Sequence, residues 1–258
     1  MKADLQAALA AQLLAMADDE LILGHRDSEW CGHAPILEED IAFANIALDE
    51  IGHASIWYSL LAELLGEDPQ TYADRQVYFR DSRDFRNIQM VELANGDWAF
   101  SMLRQYLWDS SELVRLEALL TSAYTPVAEA ADKIRKEELY HHRHTRLWIE
   151  RLGQGTEESH RRLQQALNEL WSYSLQIFEP LPGETLLVQN GYVPDPAQLK
   201  ANWVEQILPA FETAGLEIPE PENQGRISPL QRDQHTPAFK ILVTDMQSVA
   251  RLEPDAEW

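Results

Sequence analysis

Two Glu-x-x-His elements carry the residue types that could do chemistry in this chain. Glu50 and His53 form the first element, and Glu138 and His141 form the second. Residues three positions apart in a helix share a face, so the carboxylate and the imidazole of each element point the same way. The neighbours of Glu50 at helical spacing are apolar, which places this pair on a buried stripe. A carboxylate there needs a partner, and a metal ion is one candidate.

A single acid precedes each element at nearly the same distance. Glu20 lies 30 residues before Glu50, and Asp109 lies 29 residues before Glu138. Facing helices with this pattern build a di-iron or di-manganese carboxylate site in the core of a bundle. Carboxylates and imidazoles suit iron or manganese, and open coordination positions let dioxygen bind. The candidate metal ligands are therefore Glu20, Glu50, His53, Asp109, Glu138 and His141.

Several alternatives remain open at the level of sequence. Glu137 directly precedes Glu138, so either acid could face the core. Asp109 has a shorter reach than the glutamate expected at its position. Glu50 and His53 could also form a buried ion pair that holds the register of the bundle, and the matched spacing fits a vestigial metal site as well as a working one.

Long helices must position these residues, and the chain has the pattern for them. Apolar spacing and Pro/Gly punctuation predict helices over residues of about 3–26, 37–65, 97–123, 126–152, 156–179, 196–213 and 237–252. Residues 66–96 predict a crossover with some short helix, and residues 215–234 predict a Pro/Gly-rich loop. The sequence therefore predicts an all-α, ferritin-like helical bundle, as one domain over residues 1–258. Its four-helix core would span about 3–152 and its C-terminal helical extension about 156–252.

Composition restricts the partners and the compartment. A formal net charge of −22 argues against nucleic acid and against anionic membrane surfaces, since both would repel the chain. Cys31 is the single cysteine, so the chain has no internal disulfide. No apolar run approaches the ~20 residues that span a bilayer. The N-terminal stretch has helical spacing rather than the pattern of a signal peptide, which predicts a cytoplasmic protein.

A block after the first predicted helix resembles a known family. The sequence Glu29-Trp30-Cys31-Gly32-His33-Ala34-Pro35 is similar to the C subunit of the bacterial phenylacetyl-CoA epoxidase, a multicomponent oxygenase of phenylacetate catabolism. The resemblance runs from about Asp18 to Arg251. Further matching residues are Leu37-Glu38, Asp40, Ala44-Asn45-Ile46, Asn95-Gly96, Arg104-Gln105-Tyr106, Asp109, Lys136-Glu137, Tyr140-His141, Glu150-Arg151-Leu152-Gly153, His235-Thr236 and Met246-Gln247.

The resemblance implies a ferritin-like fold and a close complex with the catalytic A-type subunit, which carries the di-iron site. It implies that the C-type subunit supports this complex without catalysing, while the assembled enzyme epoxidises the ring of phenylacetyl-CoA. It also implies that Glu137, Tyr140 and His141 are the family positions in the fourth core helix. This chain differs from C-type members that lack Glu20 and the Glu-x-x-His of the second helix.

Three functions follow for comparison. The first is a structural, non-catalytic epoxidase subunit bound to the catalytic di-iron subunit, with a homodimer as the alternative assembly in its absence. The second is a di-iron carboxylate oxygenase or oxidase that binds iron or manganese itself. The third is an iron-storage cage, which the additional C-terminal helices disfavour.

Overall fold

The protein is helical throughout the part that the structure describes. The computed structural model describes residues 1–220 and 232–254, and in these ranges it contains ten α-helices and no strand. They are α1 (Ala3–Ser28), α2 (Leu37–Leu65), α3 (Pro69–Tyr78), α4 (Gln89–Glu92), α5 (Trp98–Leu119), α6 (Thr125–Gly153), α7 (Glu157–Ser174), α8 (Glu184–Gln189), α9 (Pro196–Ala214) and α10 (Pro237–Leu252). None of them combines the length and the apolar character that a membrane crossing requires. The prediction of an all-α, ferritin-like bundle is confirmed.

Four long helices form the bundle that positions the candidate site. Helix α1 packs along α2, α5 packs along α6, and α2 borders α6. The α1–α2 pair is antiparallel, because Gln6 near the start of α1 bonds to Leu64 near the end of α2. The α2–α6 pair is also antiparallel, since Glu39 near the start of α2 accepts a hydrogen bond from Trp148 near the end of α6. Each of the four predicted core helices is therefore present and packs against at least one of the others.

Local sequence signals explain where these helices begin and end. The Asp97 side chain accepts a hydrogen bond from the backbone of Phe100 and caps α5. Asp195 caps α9 in the same way, with Pro196 as the first helical residue. Gly66 ends α2 in the left-handed conformation, with φ of 74°. Capping residues thus set the ends of the long helices, and these ends lie within a few residues of the predicted ones.

The C-terminal helices cover the outer side of α5 and α6. Helix α7 packs on α5, and α9 packs on both α5 and α6. Trp203 of α9 is fully buried, and its indole N–H donates to the carbonyl of Leu107 on α5. The helix predicted over 156–179 ends at Ser174 and continues as a 3₁₀ turn. Helix α8 was not predicted, because six residues are too few to show a helical period.

Two buried acids hold the segment that leads into the last helix. Arg232 pairs with Asp19 of α1 at 2.7 Å, and His235 pairs with Glu92 of α4. The start predicted for α10 is correct, but the Thr236 side chain makes no capping bond. The Thr236 backbone N–H instead donates to Glu92 at 2.7 Å. The part of the predicted loop at 221–231 lies outside the described residues.

Gly24 allows α1 and α2 to approach closely beside the candidate site. A Cβ atom at Gly24 would stand 3.0 Å from the carbonyl oxygen of Ala47, from the Cβ of Glu50 and from a side-chain carbon of Ile51. Ala47 and Glu50 lie in the middle of α2, and the carbonyl belongs to rigid helical backbone. The missing side chain at Gly24 therefore sets the spacing between the helices that carry Glu20 and Glu50.

Replacement of Gly24 by alanine should destabilise the chain. Alanine normally stabilises a helix interior by about 0.5–1 kcal/mol relative to glycine. Here the added methyl group overpacks the α1–α2 contact, which typically costs about 1–3 kcal/mol. We expect a lower free energy of unfolding, measured by urea denaturation. Gly52→Ala is the control, because its Cβ would meet open space; equal effects of the two variants would contradict the close-approach explanation.

Candidate metal centre

The four long helices bring all six candidate ligands to one place in the core. Five of the six residues have no exposed surface, and His53 is 1% exposed. Helix α1 provides Glu20, α2 provides Glu50 and His53, α5 provides Asp109, and α6 provides Glu138 and His141. The two halves of the internal repeat thus contribute equally to one buried cluster.

The cluster consists of two overlapping groups. Ligand atoms of Glu50, Asp109, Glu138 and His141 lie within 4.8 Å of one another, and those of Glu20, Glu50 and His53 do so as well. Glu50 belongs to both groups. This is the arrangement expected for two cation positions that share a carboxylate, as in dinuclear carboxylate centres.

Glu50 and Glu138 lie between the two imidazoles. The two oxygens of Glu50 are 3.5 Å from His141 Nδ1 and 3.7 Å from His53 Nδ1. Glu138 Oε1 is 3.1 Å from His141 Nδ1 and 3.4 Å from His53 Nδ1. Both rings therefore direct Nδ1 at the central carboxylates, and these distances accommodate an ion pair as well as a shared cation.

Two outer carboxylates hold the other nitrogen of each imidazole. His53 Nε2 donates to Glu137 Oε2 at 2.8 Å, and His141 Nε2 donates to Asp49 Oδ2 at 3.2 Å. Such a bond fixes the orientation of the ring and, in the neutral imidazole, presents Nδ1 to a metal. The support is reciprocal, because Asp49 of α2 holds the histidine of α6 while Glu137 of α6 holds the histidine of α2. Each acid directly precedes the glutamate of its own Glu-x-x-His element.

The structure assigns different positions to the two neighbouring acids of α6. Glu138 is fully buried and lies within the cluster. Glu137 is 45% exposed and reaches only the far side of His53. The sequence left these two acids as alternatives for one place, but the structure gives each of them a separate place.

Two neutral donors, one from α5 and one from α6, hold the carboxylate of Asp109. The Gln105 amide donates to Glu50 at 2.7 Å and to Asp109 at 2.8 Å. The Thr145 hydroxyl, one turn beyond His141, donates to the second oxygen of Asp109 at 2.7 Å. Both oxygens of Asp109 are thus partnered, which fixes the carboxylate despite its shorter side chain.

Several atoms at the centre have no hydrogen-bond partner among the described residues. These atoms are both oxygens of Glu20, Oε2 of Glu50, Oε2 of Glu138 and Nδ1 of His53. Buried polar atoms without partners are costly, and four acids within one apolar core repel each other. Carboxylate and imidazole donors in this number match the preferences of iron and manganese. The residues present therefore fit a dinuclear metal centre.

Protons bound to the acids and imidazoles compensate the negative charge of the cluster when no cation is present. Burial and the neighbouring Glu50 raise the pKa of Glu20, and burial also raises the pKa values of Asp109 and Glu138. Although burial opposes it, the surrounding carboxylates raise the pKa of His53 to about 8. Since a metal competes with protons for the same atoms, metal binding here would release protons.

Sequence reasoning did not identify Asp49, Gln105 or Thr145 as parts of this cluster. Asp49 and Glu137 could have been found, because an acid stands immediately before both Glu-x-x-His elements. Gln105 lies one turn before Asp109, and Thr145 lies one turn after His141, so each shares a face with its partner. Their residue types alone gave no signal, since such polar residues are common on helix surfaces.

Removal of an outer carboxylate should weaken metal binding without unfolding the chain. We expect Asp49→Ala to lower the affinity for Fe²⁺ or Mn²⁺ by about 10–100-fold, because His141 loses the bond that orients its ring. The affinity is measured by competition with a chromophoric chelator. Glu63→Ala is the matched control, an exposed acid on the same helix. An unchanged affinity in Asp49→Ala, or no metal binding by the unaltered chain, would contradict the assignment.

Comparisons with known proteins agree over nearly the whole length. A family model described as phenylacetic acid catabolic protein matches residues 1–258. The chain is 36% identical to the C subunit of 1,2-phenylacetyl-CoA epoxidase from Escherichia coli (strain K12) over 250 residues, which is 97% of this chain and 99% of that relative. It is 27% identical to the A subunit of the same enzyme over 225 residues, which is 83% of this chain and 69% of that relative. The chain belongs to the phenylacetic acid catabolic protein family.

Proposed function

We propose that this chain is a component of a phenylacetyl-CoA epoxidase, in the place of the C subunit, and that it supports a catalytic di-iron subunit of the A type. The observation that carries the proposal is the identity with the C-type relative, which covers 97% of this chain and 99% of that relative. The match to the A-type relative is weaker and covers only 69% of it. The cytoplasm is the proposed compartment.

A supporting role uses the buried cluster as a structural centre. Gln105 connects α5 to α2 through Glu50, and Thr145 connects α6 to α5 through Asp109. Directed hydrogen bonds of this kind allow one relative placement of the helices, whereas apolar contacts alone allow several. In this role the cluster stabilises the bundle so that its outer surface can bind the catalytic subunit.

The buried cluster also favours a second candidate function, in which the chain itself binds two iron or manganese ions. Two overlapping ligand groups share Glu50, and several of their atoms have no other partner in the described ranges. In this function Glu20, Glu50, His53, Asp109, Glu138 and His141 would hold the ions. Bound iron would supply the electron transfer that activation of dioxygen requires.

The residues around the ions would then have separate tasks. His53 and His141 would each present Nδ1, while the outer carboxylates hold their rings in place. The complete burial of the ligands excludes water from the centre, which strengthens every charge interaction inside it. Gln105 would fix the positions of Glu50 and Asp109 by donating a hydrogen bond to each.

Metal content separates the two candidate functions. The chain is expressed in iron-supplemented medium, purified, and analysed for metal, together with a His53→Ala/His141→Ala variant as the matched control. About two ions per chain, absent from the folded control variant, would support the metal-binding function. A metal-free chain that remains folded would support the structural role alone.

The epoxidase proposal has an independent test. An A-type subunit is assayed for phenylacetyl-CoA epoxidation and for solubility, with and without this chain. We expect the A-type subunit to co-purify with this chain and to lose most of its activity or solubility when the chain is absent. An A-type subunit that is soluble and fully active by itself would contradict the proposal.

A further inference from the structure

One row of exposed residues on α2 is uncharged over four helical turns, and the partly exposed Asp49 borders it. Ile41, Asn45, Leu48, Gly52 and Ser55 recur at helical spacing, and all five are exposed. The chain as a whole has a net charge of −22, so an uncharged face of this length is unusual for its surface. Depletion of charged residues is typical of the central part of a protein interface.

The apolar side chains on this face are large and well exposed. Leu48 is 66% exposed and Ile41 is 58% exposed. Tyr140 and Leu147 of the adjoining helix α6 are exposed to a similar extent. Since Asp49 of α2 bonds to His141 of α6, these residues belong to neighbouring turns of two packed helices. They form a patch across α2 and α6, which we call the outer face.

Gly52 lies in the middle of the outer face, and the packing of the chain does not explain it. A Cβ atom at Gly52 would meet no described atom within 4 Å. The residue has ordinary helical backbone, so no positive φ requires a glycine. Gly24 differs, because neighbouring atoms of α2 already occupy its Cβ space. A glycine that weakens its own helix without an internal reason fits the close approach of an external backbone.

We infer that the outer face receives a helix of an A-type subunit, packed over Gly52 and between the side chains of Leu48 and Tyr140. This inference rests on the proposed epoxidase function and adds the surface through which the two proteins meet. The A-type relative matches 83% of this chain, so the partner is expected to offer long helices of the same bundle. Its opposing stripe would be apolar where it meets Ile41, Leu48 and Tyr140.

Charge favours this partner over a second copy of the chain. Two copies would bring together two bodies with a net charge of −22 each. Lys133 and Arg143 are exposed beside the face on α6, and neither forms an ion pair within the described ranges. In a symmetric contact between two copies the same cations would flank both sides, whereas a different partner can place acids opposite them.

Docking on the outer face would also cover the two outer carboxylates of the buried cluster. Asp49 follows Leu48 directly, and Glu137 lies one turn before Tyr140. Both carboxylates are partly exposed and hold the histidines of the cluster. A helix over Gly52 would remove them from water and strengthen both hydrogen bonds. The partner would therefore act on the orientation of His53 and His141 without touching either residue.

Affinity for the A-type subunit tests the surface. The chain is co-purified with the A-type subunit, and the Kd of the complex is measured from its dissociation on dilution. Leu48→Glu is compared with Ile241→Glu, which changes an equally apolar, 73% exposed side chain on α10. We expect Leu48→Glu to raise the Kd by roughly 30-fold or more, as for a central interface contact. Ile241→Glu should leave the Kd within about threefold.

Gly52→Ala provides a second variant that does not depend on an added charge. We expect a higher thermal midpoint for the isolated chain, because alanine favours the helix, together with a weaker complex. Wild-type affinity in both Leu48→Glu and Gly52→Ala would overturn the inference while leaving the epoxidase function intact. An isolated dimer that Leu48→Glu dissociates, with the A-type affinity unchanged, would also overturn it. Absence of any binding by the wild-type chain would refute the proposed function and the inference together.

Discussion

The mutual repulsion of four buried carboxylates is the constraint on which this bundle depends. Glu20, Glu50, Asp109 and Glu138 come from four different helices and have no exposed surface. An ionised acid in such surroundings is costly unless a cation, a proton or a hydrogen bond compensates it. Whatever supplies that compensation also determines how closely the four helices can pack. The same side chains therefore determine both the chemistry of the centre and the stability of the fold.

Two different kinds of compensation are compatible with the same side chains. Protons shared between the acids and the two imidazoles neutralise much of the charge, as the raised pKa values of Glu20 and His53 indicate. Metal ions would do the same with shorter and stronger contacts. A ligand that binds only the folded state stabilises that state. Metal occupancy would thus be visible as an increase in the free energy of unfolding of the bundle.

Much of the fold followed from the sequence, and the reasons are specific. The long core helices combine clear apolar spacing with caps such as Asp97 and Gly66, so their bounds were predictable. Helix α8 was not predictable, because a segment of six residues is too short to show helical spacing of its apolar residues. At the site, matched spacing predicted six candidate ligands, and the structure brings these six side chains together. The outer acids and Gln105 were not predicted, because their roles depend on which helix lies opposite, which periodicity does not determine.

The reciprocal bonds of Asp49 and Glu137 bear on the order in which such a protein can assemble. The α1–α2 pair contains one histidine and the acid that orients the histidine of the other pair, and the α5–α6 pair has the complementary parts. Neither helical hairpin alone supplies the carboxylate that accepts a hydrogen bond from Nε2 of its own histidine. The complete arrangement therefore arises only when the two hairpins dock, and a cation held by all six side chains would have to bind after that step. An isolated hairpin would hold a cation more weakly, because the carboxylate that orients its histidine lies on the other hairpin.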